Sequence, residues 1–297
     1  MSRRFRIEHV NRYRYDHSVA LNYGEARLLL RSAPGQRVLE TTLDLSPAAS
    51  DYRERGDAWG NRVAWFSLRH PHRELILVAS SLVERDAASM PEASAAWEEV
   101  VAHLRRPHLD SAAAESVAAR EFSLESPLAP WLPAARDYAG ASFAGGRPLL
   151  DAVADLSGRI RADFAYRPSA TQIDTPLSEV LAERHGVCQD FAHLALAGLR
   201  GLGLAARYVS GYLETTPPQG EPRRVGADAS HAWISVYLPQ VGWFDFDPTN
   251  GGAAGSGHIT LAWGRDYSDV TPLKGVIYGG GMHRLEVGVT VTRVPDI

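Results

Sequence analysis

A switch in hydrophobic period near Arg85 divides this 297-residue chain into two kinds of structure. Before the switch, Phe5 and Ile7, Tyr13 and Tyr15, and the series Leu39, Thr41, Leu43, Leu45 alternate with polar positions, while Val63 and Trp65 oppose a second face of Phe66 and Leu68. Glu74 to Leu82 is a denser apolar run, and turn clusters such as Gly56-Asp57 and Trp59-Gly60-Asn61 separate the segments. A period of two is the geometry of a pleated strand with one wet face, so residues 1–88 read as an antiparallel sheet or sandwich. No titratable cluster in this stretch suggests chemistry.

Beyond Arg85 the spacing becomes helical. Trp97, Val100, Val101 and Leu104 share one face, Asp110-Ser111 is placed to cap a short alanine-rich helix to Phe122, and the proline-rich Ser126 to Pro133 reads as a loop. Leu150, Val153, Leu156, Ile160 and Phe164 mark a longer amphipathic helix. Thr175-Pro176 reads as an N-cap and first helical residue opening a helix with Leu177, Val180 and Leu181 inward. From Val187 to Leu199 the apolar residues leave no wet stripe, which predicts a helix buried on most sides and ended by Gly201 and Gly203. Strands are expected over Ala206–Leu213, His231–Leu238 and Trp243–Asp247, with a polar connection at Gly220–Asp228, and a last strand through Leu285, Val287, Val289 and Val291. The expected organisation is a β-rich region, 1–88, followed by a helical segment plus core, 89–297. The fold class is α+β.

Composition narrows the function classes. Thirty-one Lys+Arg against 35 Asp+Glu leave a net charge of −4, which offers no electrostatic reason to expect nucleic acid or an anionic membrane as partner. No apolar stretch approaches the ~18 residues of a membrane-spanning helix, and the basic start has no hydrophobic region behind it. One cysteine makes neither an internal disulfide nor a cysteine-based metal cluster. These features lead to the expectation of a cytoplasmic protein without a metal or other cofactor.

That one cysteine, Cys188, stands where a loop meets the buried helix. In a first helical turn, unpaired N–H groups and the positive end of the dipole favour a thiolate, although a lone cysteine also serves as a small buried hydrophobe. A nucleophilic thiol needs a base and the base an orienting group. His193, five residues along the helix, lies roughly 140° away and is better suited to a structural hydrogen bond. His231 opens a strand, and the following strand carries Asp245 and Asp247 on one face, so spacing alone does not choose between them.

Three phrases taken together, Gly186-Val187-Cys188-Gln189-Asp190-Phe191-Ala192-His193, His231-Ala232-Trp233 and Phe246-Asp247-Pro248-Thr249-Asn250, resemble the transglutaminase-like superfamily, in its bacterial branch with a β-rich N-terminal domain. The resemblance implies a papain-like core with Cys188 as nucleophile, His231 as general base and acid, and Asp247, directly before Pro-Thr, as orienting carboxylate. It implies attack on a carboxamide or peptide carbonyl and a thioester intermediate. Water as acceptor makes a protease or amidase, the favoured reading; an amine makes a transglutaminase or peptide ligase. The expected partner is a peptide or protein amide substrate. The backbone N–H of Cys188 is a plausible oxyanion donor, and Gln172 a side-chain candidate. Trp233 and Trp243 are candidates for cleft walls, Tyr208, Tyr212 and Arg265-Asp266-Tyr267 for the substrate side, and His258 stands as a further candidate. Asp190 reads as ordinary compensation of the helix dipole. Animal relatives need calcium, but no acidic loop here has the spacing of such a site. The alternative from another class is a non-catalytic binding or scaffold protein.

Overall fold

The computed structural model describes residues 2–86, 90–91, 93–106, 114–168, 170–214 and 230–294. The expected cap at Asp110-Ser111 and the connection at Gly220–Asp228 lie outside the described residues. The period-two segments form β1 (Arg3–Leu29), β2 (Gln36–Ser46), β3 (Asp51–Gly56), β4 (Arg62–Leu68) and β5 (His72–Arg85). After them come α1 (Trp97–Arg105), α2 (Ala114–Glu121), α3 (Pro133–Gly140), α4 (Leu149–Asp163), β6 (Ala165–Tyr166), α5 (Leu177–Glu183), β7 (His185–Gly186) and α6 (Cys188–Gly201). The chain ends with β8 (Ala206–Leu213), β9 (Ser230–Leu238), β10 (Gly242–Asp247), β11 (Gly252–Ala253), β12 (His258–Gly264), α7 (Tyr267–Val270), β13 (Leu273–Gly279) and β14 (His283–Val294).

The first sheet has the order β2-β5-β1-β4-β3, with β13 and β14 also paired to β1. Strand β1 is long enough to change partners. Its first half lies between β5 and β14, and its second half between β4 and β13. The final strands therefore return to the first sheet, whereas chain order placed them with residues 89–297. The reason is edge satisfaction: β14 hydrogen-bonds β1 from Arg4↔Val294 to Tyr15↔His283, so β1, with β5 on its other side, has both edges paired there. Val19, Leu28, Phe66, Leu68 and Leu77 give this sheet an apolar cluster of its own.

The second sheet runs β11-β10-β9-β8-β12. Helix α6 covers one face, packing Phe191, Leu194 and Ala195 into the cluster that holds Ala232, Ile234 and Val236. From Asp190 to Arg200 every residue of α6 is buried, as its lack of a wet stripe requires. On another side α6 meets α3, which sequence periodicity did not show because its contact face is alanine. Gly198 permits that approach: a Cβ there would stand 2.6 Å from Ala139 Cβ and 3.0 Å from Ala135 O.

Strand β12 is the edge of the second sheet, and two amides from the first sheet cover it. Gln36 Nε2 donates to Thr260 O (2.7 Å) while its Oε1 accepts from Thr260 N (2.8 Å). Asn61 repeats the arrangement on Trp263, donating to O at 2.8 Å and accepting from N at 2.9 Å. Each side chain imitates a neighbouring strand at one residue, which docks the two sheets and leaves no exposed ladder at those points.

Candidate active site

Residues Gly186 to Asp190 place the thiol. Val187 is the extended N-cap and Cys188 the first residue of α6, half-buried, with its N–H among the donors that no intrahelical carbonyl can reach. Asp190 turns back: its Oδ2 accepts from Val187 N (2.8 Å) and from Thr171 Oγ1 (2.6 Å). This clasp ties the 170–176 loop to the helix start, with Gln189 Nε2 adding a bond to Ile173 O at 3.3 Å. Gly186 is needed because a Cβ would lie 2.8 Å from the same Asp190 oxygen. Asp190 is therefore a buried clasp as well as a dipole partner. Burial pushes its carboxyl up, and the bonds from Thr171 and Val187 oppose that shift.

Asp247 ends β10 in a turn built by Pro248-Thr249-Asn250. Its Oδ1 accepts from Thr249 N (2.9 Å) and Asn250 N (3.2 Å), and its Oδ2 from Asn250 Nδ2 (2.6 Å). The same Oδ2 accepts from His231 Nε2 at 2.8 Å and from His258 Nε2 at 2.9 Å. Burial alone would raise this carboxyl, but the bonds from His231, His258 and Asn250 and the charge of His231 hold it far below the usual carboxylate range. Asp245, two residues earlier, lies opposite Ser235 and interacts with Arg85 and Arg207 instead.

Nε2 of His231 is committed to Asp247, and Cys188 stands beside the imidazole. Burial draws the His231 imidazolium down, but bonds to Asp247 and Cys188, and the charges of both, outweigh it and carry the group up to about 10. The structure thus brings Cys188, His231 and Asp247 together, with His231 bonded to the carboxylate and beside the thiol.

This geometry has close counterparts in sequence. Residues 136–248 match the model of the transglutaminase-like superfamily, and residues 5–84 that of the bacterial transglutaminase-like N-terminal region. A protein of Mycobacterium tuberculosis (strain ATCC 25618 / H37Rv), itself uncharacterized, is 40% identical over 303 residues, covering 98% of this chain and 93% of the relative. The chain belongs to the transglutaminase-like superfamily. A second uncharacterized relative, from Mycobacterium leprae, is 35% identical over 293 residues, covering 98% of this chain and 99% of its own. Over 89 residues the chain is also 35% identical to a protein-glutamine gamma-glutamyltransferase of Pseudomonas aeruginosa, covering 29% of this chain and 13% of that protein. In fold it resembles a Cytophaga hutchinsonii protein provisionally assigned as a cysteine protease: TM-score 0.75 at 20% identity, covering 100% of this chain and 92% of that one. The papain-like α+β architecture is that of the transglutaminase-like core.

Around this superfamily site, several residues fall elsewhere than expected. Thr175 is not the cap of α5; the N-cap is Pro176, and Thr175 Oγ1 accepts from Gln172 N at 2.8 Å within the preceding turn. Gln172 itself is exposed. Trp233 is fully buried against Val209 and Ala254, and Trp243 packs on Tyr237 and Phe122, so both are packing residues. Tyr208 and Tyr212 are buried, the latter sharing a hydrogen bond with His9 (3.0 Å) across the two sheets. Arg265 pairs with Asp269, and fully buried Asp266 caps α7 through Ser268 N (2.8 Å) and holds Leu128 N (2.9 Å), which makes them structural. His193 has the structural bond expected of it, accepting from Tyr267 N at 3.2 Å.

Two neighbours were poorly signalled by sequence. His258 opens β12; its Nδ1 accepts from Gly255 N (3.1 Å), so its Nε2 carries the proton donated to Asp247. Tyr166 lies in the parallel β6–β7 pair. Burial, and the charge of Cys188 beside it, push its phenol up. Nitrogen and oxygen atoms of His231, Asp247 and His258 lie within 4.8 Å of one another, which is close enough to share an ion. The fit is poor, because the tautomer set by Gly255 turns an N–H of His258, not a lone pair, toward the common point.

Proposed function

We propose that this protein is a cysteine-dependent acyl-transfer enzyme that cleaves amide or peptide bonds in peptide or protein substrates, with Cys188 as nucleophile, His231 as general base and acid, and Asp247 as orienting group. The observation that carries the reading is the placement of His231, held by Asp247 through Nε2 at 2.8 Å and standing close enough to Cys188 for the thiol to raise the imidazolium. Cys188 Sγ bonds to the substrate carbonyl carbon while the backbone N–H at the start of α6 receives the developing oxyanion. The C–N bond then breaks as the imidazolium gives its proton to the leaving amine. A thioester remains, and water, deprotonated by His231, releases the acid and restores the thiol. His258 holds the same carboxylate oxygen of Asp247 that orients His231.

Transfer to an amine is the second reading, favoured by the segment shared with the Pseudomonas aeruginosa gamma-glutamyltransferase. The two readings part at the thioester. Ammonia release with incorporation of a labelled primary amine into a glutamine peptide selects transfer, and ammonia or peptide products without incorporation select hydrolysis.

Because the chain has one cysteine, intact mass reads its alkylation directly. At pH 6.5 iodoacetamide is expected to modify the wild type at least about tenfold faster than His231→Ala, since the imidazolium supports the thiolate. Equal rates would remove the catalytic reading and favour a scaffold.

A further inference from the structure

Away from Cys188, a pocket of about 280 Å³ lies between the two sheets, among Arg85 from the end of β5, Arg207 on β8, Trp243 and Asp245 on β10, and Trp263 on β12. Its polar fittings are incomplete. Arg207 is 7% exposed and Arg85 4%, yet Nε of each has no hydrogen-bond partner. Behind the lining, Ser235, fully buried and directly opposite both Arg207 and Asp245 in the sheet, has an unpartnered hydroxyl as well.

The same chain shows what a purely structural buried arginine looks like. Arg200 is as buried as Arg207, and its guanidinium donates to the carbonyls of Phe122, Ala206 and Arg265 and to Ser126 Oγ. Arg207 has aromatic neighbours instead: its Cζ lies 3.7 Å from the Trp263 ring centre and 4.3 Å from that of Trp243. Arg31 Cζ lies 3.2 Å from the Trp263 centre, and two guanidiniums cannot share one ring face at such distances, so they take opposite faces. Stacking covers the flat faces of Arg207 and leaves its N–H edge for a polar partner.

Charge leads to the same partner. Arg31 has Asp57 as its counter-charge, but Asp245 is shared between Arg85 and Arg207. The remaining acids near them, Asp86 and Glu115, are exposed, where water screens them. The buried groups therefore carry about one positive charge more than their acids balance, around a cavity with N–H and O–H groups to spare. We propose that this pocket binds a small oxyanion, a carboxylate or a phosphate, between the N–H edges of Arg207 and Arg85.

The test is thermal unfolding of the full chain with inorganic phosphate or acetate titrated against chloride at constant ionic strength. A saturable rise is expected, about 5 °C when the anion reaches one hundred times its dissociation constant. Response to acetate identifies a carboxylate site, and response to phosphate alone a phosphate site. Arg85→Gln and Arg207→Gln should each remove the rise; should Arg207→Gln fail to fold, Arg85→Gln decides. General stabilisation by exclusion of phosphate from the protein surface climbs without saturation and is common to all variants. A wild type with only that unsaturated slope, or a saturable rise retained in the variants, overturns the proposal and leaves a water-filled pocket.

Discussion

The outer face of the first sheet and the interior of the second use charged residues in opposite ways. On the first sheet, Arg14 reaches Glu74 (3.2 Å) and Glu286 (3.3 Å) with its side chain half exposed, and Arg62 and Arg69 likewise pair at the surface. In the second, Asp247 is 1% exposed and accepts five hydrogen bonds. Surface pairs are screened and flexible, and their median worth is near zero to ~1 kcal/mol. A buried carboxylate held by several donors keeps its charge and its position, which is what an imidazole beside a thiol requires. Numbers of ion pairs therefore say little here; completeness of hydrogen bonding in a dry place marks the site.

The sharpest way to break this contrast is Asp247→Ala. It strands the N–H groups of His231, His258 and Asn250 and the turn N–H of Thr249, so unfolding free energy should fall by about 3–5 kcal/mol in urea melts, with loss of rapid Cys188 alkylation. A loss under 1 kcal/mol would mean water replaces the carboxylate easily and the interior is not dry. Gly198→Ala tests packing without touching charge. Its Cβ meets Ala139 Cβ at 2.6 Å and Ala135 O at 3.0 Å, and α3 must move, at a cost of roughly 1–3 kcal/mol. A neutral result would show that α3 is loosely held.

Titration sharpens the comparison further. His231 is raised from 6.5 to about 10, so its contribution is fully present below pH 6.5 and is lost as pH climbs toward 10. Between pH 6.5 and 9.5 the wild type should lose roughly 3 kcal/mol more than His231→Gln in matched urea melts. Asp247 shifts the other way, and its contribution persists until pH falls well below the ordinary carboxylate range. Parallel loss in both proteins would mean that His231 is neutral in the folded state. The smallest effect belongs to the first sheet: Arg14→Ala should change stability by less than about 0.5 kcal/mol, and added salt should erase even that.

Much of the second region was legible residue by residue. The lack of a wet stripe after Gly186 predicted a helix buried on most sides, and the strand expected at His231–Leu238 is present and buried on both faces. Helix α3 was not legible, since Ala135 and Ala139 bury by being small and carry no hydrophobic signal. His258 could not be distinguished among eleven histidines without the register that brings it to Asp247. The Thr175 assignment failed because a hydroxyl before proline serves a turn as readily as a helix.

What the amino-acid order determined by itself was local: the two periodicities, the family phrases around Cys188, His231 and Asp247, and the glycine and turn chemistry at Gly186 and Asp247. Tertiary structure alone decided that the last two strands return to β1 and that Gln36 and Asn61 cover β12. The physical reason is range. Periods and caps are set by neighbours a few positions away, while pairing across 16 residues at His231 and Asp247, or 224 at Gln36 and Thr260, depends on which edges and cavities the whole chain leaves to be filled.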